Sequence, residues 1–309
     1  MMDHRRIRPP LPPLLVRVAG RMAPGWLFSR GHRWGPGLSG GGRVPFLLSF
    51  DVDAEEDIEA IPRVLDLLRA HRLPAGFACV GEWVERFPAE HWRIVAEGHE
   101  VVNHGYANHT ARDGRGVLVP TGFYHALGRP EMDRDIRAGH AALGRILGLA
   151  PAGFRAPHFA TLRRRHLGYV YETLRALGYR YSSSTALGST GDGIPSLRDG
   201  IVELPVLGCP QHPASVFDSW HLVAAPDRPH GPGDLLRLGR RILTEARGSG
   251  PSWINLYFDP SVSRATREFE DLLSLVAAAD HLEPMALGAF AARWHEATLA
   301  SREQGGGRA

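Results

Sequence analysis

The sequence predicts a single α/β domain in which about seven strand–helix units close into a barrel. Three observations support this fold: the chain has 309 residues, 43% of them are hydrophobic, and apolar runs alternate with helical stripes along most of its length. Such alternation indicates a parallel sheet, and seven or so units indicate a closed barrel. A barrel of this kind fits within a chain of this length.

The predicted strands are short apolar runs, and the first of them is nearly continuous, as expected for a strand buried on both faces. They lie at 44–50, 75–80, 100–103, 153–155, 179–182, 201–204 and 253–258. The predicted helices carry apolar residues at intervals of three and four. They lie at 58–68, 83–97, 132–147, 167–177, 235–246 and 269–279. The barrel is therefore expected to occupy residues 44–296.

The two ends of the chain have a different composition from the barrel. Residues 1–43 are rich in Arg, Pro and Gly, and we expect a loosely ordered arm with one short helix around residues 14–22. Such an arm could touch an anionic surface, although a solvated arm is the commoner outcome. Residues 297–309 are expected to form a flexible tail.

Composition narrows the classes of function and location. The net charge is +3 with a pI near 9.1, all positive side chains are Arg, and this mild excess does not argue for nucleic acid binding. No run approaches the ~18 apolar residues of a membrane span, and the broken apolar run near the N-terminus makes a poor signal peptide. Two cysteines, Cys79 and Cys209, form no disulfide framework, so a cytoplasmic location is expected.

Polar residues follow the predicted strands at their carboxyl ends, where the active sites of such barrels lie. Asp51 and Asp53 end the first strand, and His104 and His109 follow the third. A carboxylate and two imidazoles suit a catalytic divalent metal, because three protein ligands leave a fourth position for water. Acidic residues also occur at strand ends as turn formers and helix caps, so that alternative stays open for the aspartates.

Arg155 stands at the end of the short strand 153–155. Its guanidinium would pair with Asp51 and hold that carboxylate in its ionised form. A purely structural salt bridge is the alternative.

Three segments, in this order and spacing, resemble the polysaccharide deacetylase family. They are Ser-Phe-Asp-x-Asp at 49–53, Gly-His-Glu and Asn-His-Gly-Tyr within 98–106, and Gly-Phe-Arg-x-Pro-His at 153–158. The family includes chitin, chitooligosaccharide and peptidoglycan N-acetylglucosamine deacetylases and some allantoinase-like amidases. The resemblance covers residues 44–290 and implies a distorted seven-stranded barrel that holds zinc, or cobalt, manganese or another divalent ion.

The resemblance also implies roles for single residues. Asp51 matches the general base of the family, and Arg155 matches the arginine that orients this base. The residues that match its metal ligands are Asp53, His104 and His109. The two histidines are normally four residues apart in the family and are five apart here. Such a spacing would separate them on a helix, whereas a loop with Gly105 can accommodate the extra residue.

The general acid is the second departure from the family. Asp259 stands where the family has the histidine of a Leu-x-His motif. Asp259 can serve as the acid if burial keeps it protonated. The alternative is a histidine from the long loop after the strand 201–204, either His212 or His221. A third departure is the segment 181–184, which lacks the carboxylate often found on that strand.

Substrate contacts are expected from four further residues around these strand ends. The resemblance implies that Pro157 shapes the loop after Arg155, and the neighbouring His158 could face the cleft. Trp220 is suited to stacking on a sugar ring, and Tyr257 precedes Asp259 in the altered motif. Packing against the barrel rim is the alternative for Trp220 and His221.

The predicted function is hydrolysis of an N-acyl amide, with an N-acetylated amino sugar or polysaccharide as substrate. A bound metal acidifies water and polarises a carbonyl, and a neighbouring carboxylate can take up the proton. Two alternatives remain. One is a small-molecule amidase of the allantoinase-like type. The other is a metal-binding carbohydrate-recognition protein without turnover, which the missing histidine would explain and a base–arginine pair would not.

Overall fold

The computed structural model describes residues 13–33, 42–188, 193–225, 229–248 and 250–306. The strands are β1 (Val44–Val52), β2 (Gly76–Cys79), β3 (Glu100–Asn103), β4 (Thr110–Arg112), β5 (Leu118–Pro120), β6 (Gly153–Phe154), β7 (Tyr181–Ser182), β8 (Ser196–Arg198), β9 (Ile201–Glu203), β10 (Ile254–Phe258) and β11 (Leu282–Pro284). The helices are α1 (Pro13–Met22), α2 (Pro24–Gly31), α3 (Glu55–His71), α4 (Gly81–Arg86), α5 (Pro88–Ala96), α6 (Arg129–Leu147), α7 (Arg164–Ala176), α8 (Asp234–Ala246), α9 (Pro260–Ala265), α10 (Arg267–Ala277) and α11 (Leu287–Gly306). A π-helical turn spans Trp220–Ala224.

Seven parallel strands form the barrel wall in the order β10-β1-β2-β3-β6-β7-β9. The edge strand β8 pairs antiparallel with β9, and β11 runs parallel beside the start of β1. The strands β4 and β5 form a separate antiparallel hairpin. Each of the seven predicted apolar runs contains one strand of the wall, so the predicted α/β fold is confirmed.

The wall is distorted between β9 and β10, where single hydrogen bonds join the described chain in place of a strand ladder. The backbone N–H of Leu207 donates to the carbonyl of Asn255 at 2.8 Å. The side-chain amide nitrogen of Asn255 lies 3.2 Å from the carbonyl of Leu204 and 3.1 Å from that of Pro205. Because Asn255 is fully buried, its amide satisfies backbone groups that a neighbouring strand would otherwise satisfy.

Alternation along β1 sends its side chains to two different surfaces. The outward set packs in the hydrophobic core between the sheet and the helices: Phe46, Leu48, Phe50 and Val52. The inward set is Leu47, Ser49 and Asp51. Leu47 packs in the lower barrel interior with Phe290 and Trp294 of α11, whereas Ser49 and Asp51 lie further along the same face. The barrel interior is therefore apolar where α11 covers it and polar toward the carboxyl ends of the strands.

Several helices differ from the prediction. The helix expected at 83–97 is two helices, because Pro88 starts α5 and a proline is favoured at that position. The tail expected from residue 297 is also wrong over most of its length, since α11 continues to Gly306. None of the helices in the described ranges is long and apolar enough to cross a bilayer. Cys79 and Cys209 are both unpaired.

The N-terminal segment is ordered where the structure describes it. The predicted short helix corresponds to α1, and α2 follows it with Leu27 and Phe28 fully buried. His32 is fully buried as well: its Nδ1 donates to the carbonyl of Gly193 at 3.0 Å and its Nε2 accepts from the N–H of Gly208 at 3.1 Å. Burial, partly offset by the bond to Gly193, lowers the pKa of His32 to about 4, which keeps the ring neutral.

The expectation of a loosely ordered arm is therefore wrong for residues 13–33, because this segment buries apolar side chains against the barrel. The remainder of the predicted arm, 1–12 and 34–41, lies outside the described residues. The domain boundaries at 43 and 296 stay predictions.

Replacing Asn255 by alanine is expected to destabilise the barrel by about 1–3 kcal/mol, because the buried carbonyl of Pro205 loses its donor and that of Leu204 keeps only the hydroxyl of Ser183. Chemical denaturation of wild type and Asn255→Ala measures this change in the free energy of unfolding. Asn108→Ala, at an exposed loop position, is the matched control and should change it by less than about 0.5 kcal/mol. Equal stability of the two variants would contradict the account of the distorted wall.

Candidate active site

Three predicted metal ligands converge at the carboxyl ends of β1 and β3. The Oδ1 atom of Asp53 lies 3.1 Å from Nε2 of His104 and 3.1 Å from Nε2 of His109. Each residue offers one ligand atom to a common position. Among the described residues, this is the group of His, Cys, Asp and Glu side chains that could hold a metal ion. A carboxylate and two imidazoles with an open remaining position form the ligand set of a catalytic divalent metal site.

Hydrogen bonding selects the form of His104 that a metal needs. Its Nδ1 donates to the carbonyl of Arg155 at 2.7 Å, so Nε2 turns a lone pair toward Asp53. Burial opposes charge on the ring, but the carboxylates of Asp53 and Asp51 and the hydrogen bonds of the ring together outweigh it and raise the pKa of His104. In the same way burial opposes charge on Asp53, yet the two imidazoles hold its pKa well below the usual range.

A loop between β3 and β4 brings His109 to this position despite the five-residue spacing. Gly105 adopts a φ of +79°, and a side chain here would collide with Asp135. Asp135 in turn accepts from the N–H of Ala107 at 2.8 Å, which fixes the middle of the loop. The ring of His158 packs edge-on against the ring of His109, with centroids 5.0 Å apart.

The residues fit a divalent metal ion. The Oδ1 atom of Asp53 and both ring nitrogens of His109 are buried without a hydrogen bond from any described residue. Buried polar atoms without partners cost free energy, and a cation shared by these atoms removes that cost. The donor set of one carboxylate oxygen and two imidazole nitrogens suits zinc and related divalent ions.

Arg155 joins the predicted base to the barrel interior. Its Nη1 donates to Oδ1 of Asp51 at 2.5 Å, and its Nη2 donates to the hydroxyls of Ser49 and Ser183 at 2.9 and 3.0 Å. Its Nε donates to the carbonyl of Ser183 at 3.1 Å. Both members of the ion pair are buried, and Oδ2 of Asp51 lies 3.8 Å from Nε2 of His104. Asp51 therefore faces the metal position as a carboxylate fixed in orientation.

A second polar chain reaches the opposite side of Arg155. The guanidinium carbon lies 5.2 Å from the ring centre of Tyr257, and the hydroxyl of Tyr257 donates to Oδ2 of Asp218 at 2.7 Å. Both carboxylate oxygens of Asp218 lie 2.9 Å from Nδ1 of His221, and one accepts from its backbone N–H at 2.6 Å. Asp218 is fully buried, whereas the side chain of His221 is 44% exposed. The imidazole is therefore oriented by a buried carboxylate and is partly accessible to solvent.

Asp259 lies beside this chain at the start of α9. Its Oδ2 accepts from the hydroxyl of Ser219 at 2.8 Å, and its backbone N–H donates to the same hydroxyl oxygen at 2.7 Å. Burial and then the nearby carboxylate of Asp57 raise the pKa of Asp259 well above its usual range. These effects favour the protonated form of Asp259, which is the form that the acid role would require.

The remaining predicted residues lie in different surroundings. His212 is exposed and its ring lies 5.3 Å from that of His230; no contact joins it to the metal position in the described chain. Nε2 of His158 lies 3.0 and 2.9 Å from the carbonyls of His109 and Thr121, so it supports the ligand loop. Pro157 is buried, and Trp220 is partly exposed at the start of the π-helical turn.

Residues 42–182 match the sequence model of the family described as polysaccharide deacetylase. The chain is therefore similar to that family over this region, which is less than half of its length. The matched region contains Asp51, Asp53, both histidines of the metal site and Arg155, whereas Asp218, His221 and Asp259 lie beyond it.

Individual relatives agree with the family and are matched over limited lengths. A peptidoglycan-N-acetylglucosamine deacetylase of Bacillus cereus is 30% identical over 106 residues, which are 34% of this chain and 34% of that protein. A chitooligosaccharide deacetylase of Sinorhizobium fredii is 42% identical over 66 residues, 21% of this chain and 30% of that protein. The chain thus spans about a third of the length of these curated relatives.

Solved structures share the fold of this chain. A candidate polysaccharide deacetylase from Mycobacterium smegmatis superposes with a TM-score of 0.63 at 22% identity, over 84% of this chain and 91% of that chain. An allantoinase superposes with a TM-score of 0.62 at 13% identity, over 87% of this chain and 96% of that chain. At these identities the likeness concerns the distorted barrel alone, whose prediction it confirms.

Two aspartates of this candidate site were not predicted. Asp218 lies in a polar–aromatic segment, 217–221, in which sequence reasoning singled out only the tryptophan and the histidine. Asp57 supports Asp53: its Oδ2 accepts from the backbone N–H groups of Asp53 and Ala54 at 3.2 and 3.1 Å. Its Oδ1 accepts from the N–H of Ser261 at 3.0 Å. An acidic residue in the first turn of a helix was the available signal for Asp57.

Loss of His109 is expected to weaken zinc binding by more than the ~10–100-fold typical of a supporting residue, because a ligand is removed. Competition with a chromophoric chelator measures the affinity of His109→Ala. Asn108→Ala, the adjacent exposed residue, is the matched control and should bind zinc as wild type does. Equal affinities of the two variants would contradict the assignment of His109.

Asp57→Ala is expected to lower zinc affinity by about 10–100-fold, since the backbone of Asp53 loses the carboxylate that orients it. The same substitution should cost about 0.5–2 kcal/mol of stability, because the first turn of α3 loses a cap. Chelator competition and denaturation give the two values. Glu56→Ala, at the preceding position, serves as control, and unchanged zinc affinity in Asp57→Ala would refute its supporting role.

Proposed function

We propose that this protein hydrolyses an N-acyl amide, with an N-acetylated amino sugar or polysaccharide as substrate and zinc as its metal. The observation that carries this proposal is the buried pair of Arg155 and Asp51, with Asp51 3.8 Å from Nε2 of a metal-site histidine. A protein that only binds metal and sugar has no need of a fixed carboxylate at this distance. Cobalt or manganese are alternative ions for the same ligands.

Asp51 acts as the general base. Asp53, His104 and His109 would hold a divalent metal, which when bound would supply a Lewis acid to polarise a carbonyl and acidify water. The free edge of the Asp51 carboxylate accepts the proton of the attacking water, an effect typically worth about 10²–10⁴-fold in rate. Arg155 fixes the orientation of Asp51 through a charge-assisted hydrogen bond to Oδ1, which leaves Oδ2 turned toward the metal position.

His221 donates the second proton. When the water oxygen adds to the acyl carbon, the C–N bond can break only as the leaving nitrogen gains a proton, and the products are a carboxylate and a free amine. The arrangement of Asp218 and His221 is that of a carboxylate orienting an imidazole, with Nδ1 held by Asp218 and the side chain 44% exposed. Tyr257 keeps Asp218 in place from the side of Arg155.

Asp259 is the less suitable acid, although its pKa is raised. Part of that increase comes from repulsion by Asp57 and Asp53, and a cation bound by Asp53 would offset the repulsion. Asp259 instead orders the turn before α9 through Ser219. Trp220, next to His221, is proposed to stack on a sugar ring.

Substrate class is tested by supplying zinc-loaded protein with N-acetylglucosamine oligomers and, separately, with allantoin. Acetate release from the oligomers, lost after chelation and restored by zinc, is the expected result. Turnover of allantoin alone would favour a small-molecule amidase. Bound zinc and oligomer without turnover of either would identify a carbohydrate-binding protein and would overturn the proposal.

The acid is tested with His221→Gln, Asp259→Asn and His212→Gln. We expect His221→Gln to lower acetate release by about 10²–10⁴-fold, because the leaving amine is no longer protonated. His212→Gln, a histidine remote from the polar chain, should retain the wild-type rate. Hydrolysis of p-nitrophenyl acetate needs no proton on its leaving group and should survive in His221→Gln.

An effect confined to Asp259→Asn would transfer the acid role to Asp259. Equal loss of amide and ester hydrolysis in His221→Gln would also contradict the assignment, because it would indicate a general structural defect.

A further inference from the structure

We propose that the N-terminal helices α1 and α2 bind the surface of an anionic lipid bilayer. This surface is defined by the side chains of Leu15, Val18, Met22 and Trp26, and we call it the N-terminal patch. Of the seven large hydrophobic side chains that are exposed in the described chain, these four lie within twelve consecutive residues. The proposal is independent of the catalytic function proposed above.

The apolar residues of α1 divide into a buried strip and an exposed strip. Val16 and Ala19 are buried against Leu27 and Leu187. At about 100° per residue, Leu15, Val18 and Met22 lie within about 60° of each other, on an arc next to the buried strip. Met22 is 81% exposed, so packing against the barrel leaves the second strip of apolar side chains largely uncovered.

Aromatic and basic side chains complete the pattern of an interfacial helix. Trp26 in α2 is 51% exposed, and the guanidinium of Arg30 lies 5.9 Å from its ring centre. Arg21, in the last turn of α1, is exposed as well. Tryptophan prefers the headgroup region of a bilayer, and arginine beside an apolar strip is attracted to anionic headgroups.

Charge along the chain favours a lipid surface over another protein surface. Residues 1–33 contain seven of the 36 Arg and Lys residues but only one, Asp3, of the 33 acidic residues. The rest of the chain therefore has an excess of acidic groups, and the net positive charge of the protein comes from the sequence segment that contains the N-terminal patch. Anionic lipid surfaces attract such segments over a short range that salt screens.

The patch belongs to a segment that is fixed to the barrel. The two hydrogen bonds of His32 and the bond from the N–H of Ser252 to its carbonyl, at 3.1 Å, hold the end of α2. Membrane binding through the patch would therefore hold the whole enzyme at the lipid surface, near lipid-linked or surface-bound substrates.

Sedimentation with phosphatidylcholine vesicles, with and without phosphatidylglycerol, tests the proposal on the full chain. Wild type is expected to bind the mixed vesicles, to bind neutral vesicles at least about tenfold more weakly, and to lose binding at high salt. Val18→Ser/Met22→Ser/Trp26→Ser and Arg21→Gln/Arg30→Gln should each weaken binding by about tenfold or more.

Trp92→Ser is the matched control, since Trp92 is 47% exposed on α5, outside the patch. It should bind mixed vesicles as wild type does. All variants should deacetylate soluble oligomers at the wild-type rate, which separates this proposal from the catalytic one.

Equal vesicle binding by wild type and the triple serine variant would overturn the proposal. Wild type that forms dimers in light scattering, ignores vesicles and becomes monomeric in the triple variant would also overturn it, because a second copy would then cover the patch.

Discussion

The interactions of Arg155 hold the site together. Its guanidinium binds Asp51 and Ser49 from β1 and Ser183 after β7, and its ring contact is Tyr257 of β10. Its carbonyl fixes the tautomer of His104 at the end of β3, and its N–H donates to the carbonyl of Asn103. One residue at the end of β6 therefore links the proposed base, a proposed metal ligand and the barrel wall. Because the buried guanidinium is hydrogen-bonded to Asp51, Ser49 and Ser183, it fixes their orientation. The loss of Asp51 would leave an unpaired charge inside the protein.

The electrostatics of the site follow from crowding carboxylates at one end of a barrel. Five of them lie near two imidazoles and one guanidinium: Asp51, Asp53, Asp57, Asp218 and Asp259. Burial raises the pKa of Asp57 to about 6 and that of Asp259 further above its usual range. Arg155 offsets the charge of Asp51, and a divalent cation would offset the charge of Asp53. Metal binding is therefore expected to stabilise the folded state as well as to enable chemistry.

Side chains alternate between the two faces of a strand, and this alternation explains which site residues could be predicted from the sequence. Asp51 and Asp53 were predictable because a strand with outward apolar residues must turn the intervening ones inward, and β1 ends there. His104 follows from the same rule on β3. His109 was predictable only through Gly105, whose left-handed conformation makes room for a five-residue spacing.

Other features depend on contacts that no local pattern encodes. The hydrogen bond from Tyr257 to Asp218 joins residues far apart in sequence. It depends on the packing of β10 beside the segment that precedes the π-helical turn, and no local pattern predicts that packing. The order of residues 13–33 was missed because Arg, Pro and Gly suggest a loose segment, whereas burial of Leu27, Phe28 and His32 decides the outcome. Composition describes what a segment prefers in isolation, and tertiary packing overrides it here.

The most direct measurement compares acetate release by zinc-loaded wild type and Asp51→Asn, with metal content determined on the same samples. The substitution keeps the size of the side chain and a hydrogen-bond acceptor for Arg155, but removes the proton acceptor. The account predicts full zinc occupancy in both proteins and a loss of turnover of about 10²–10⁴-fold in Asp51→Asn. Wild-type turnover in Asp51→Asn at equal zinc content would contradict the assignment of Asp51 as the base.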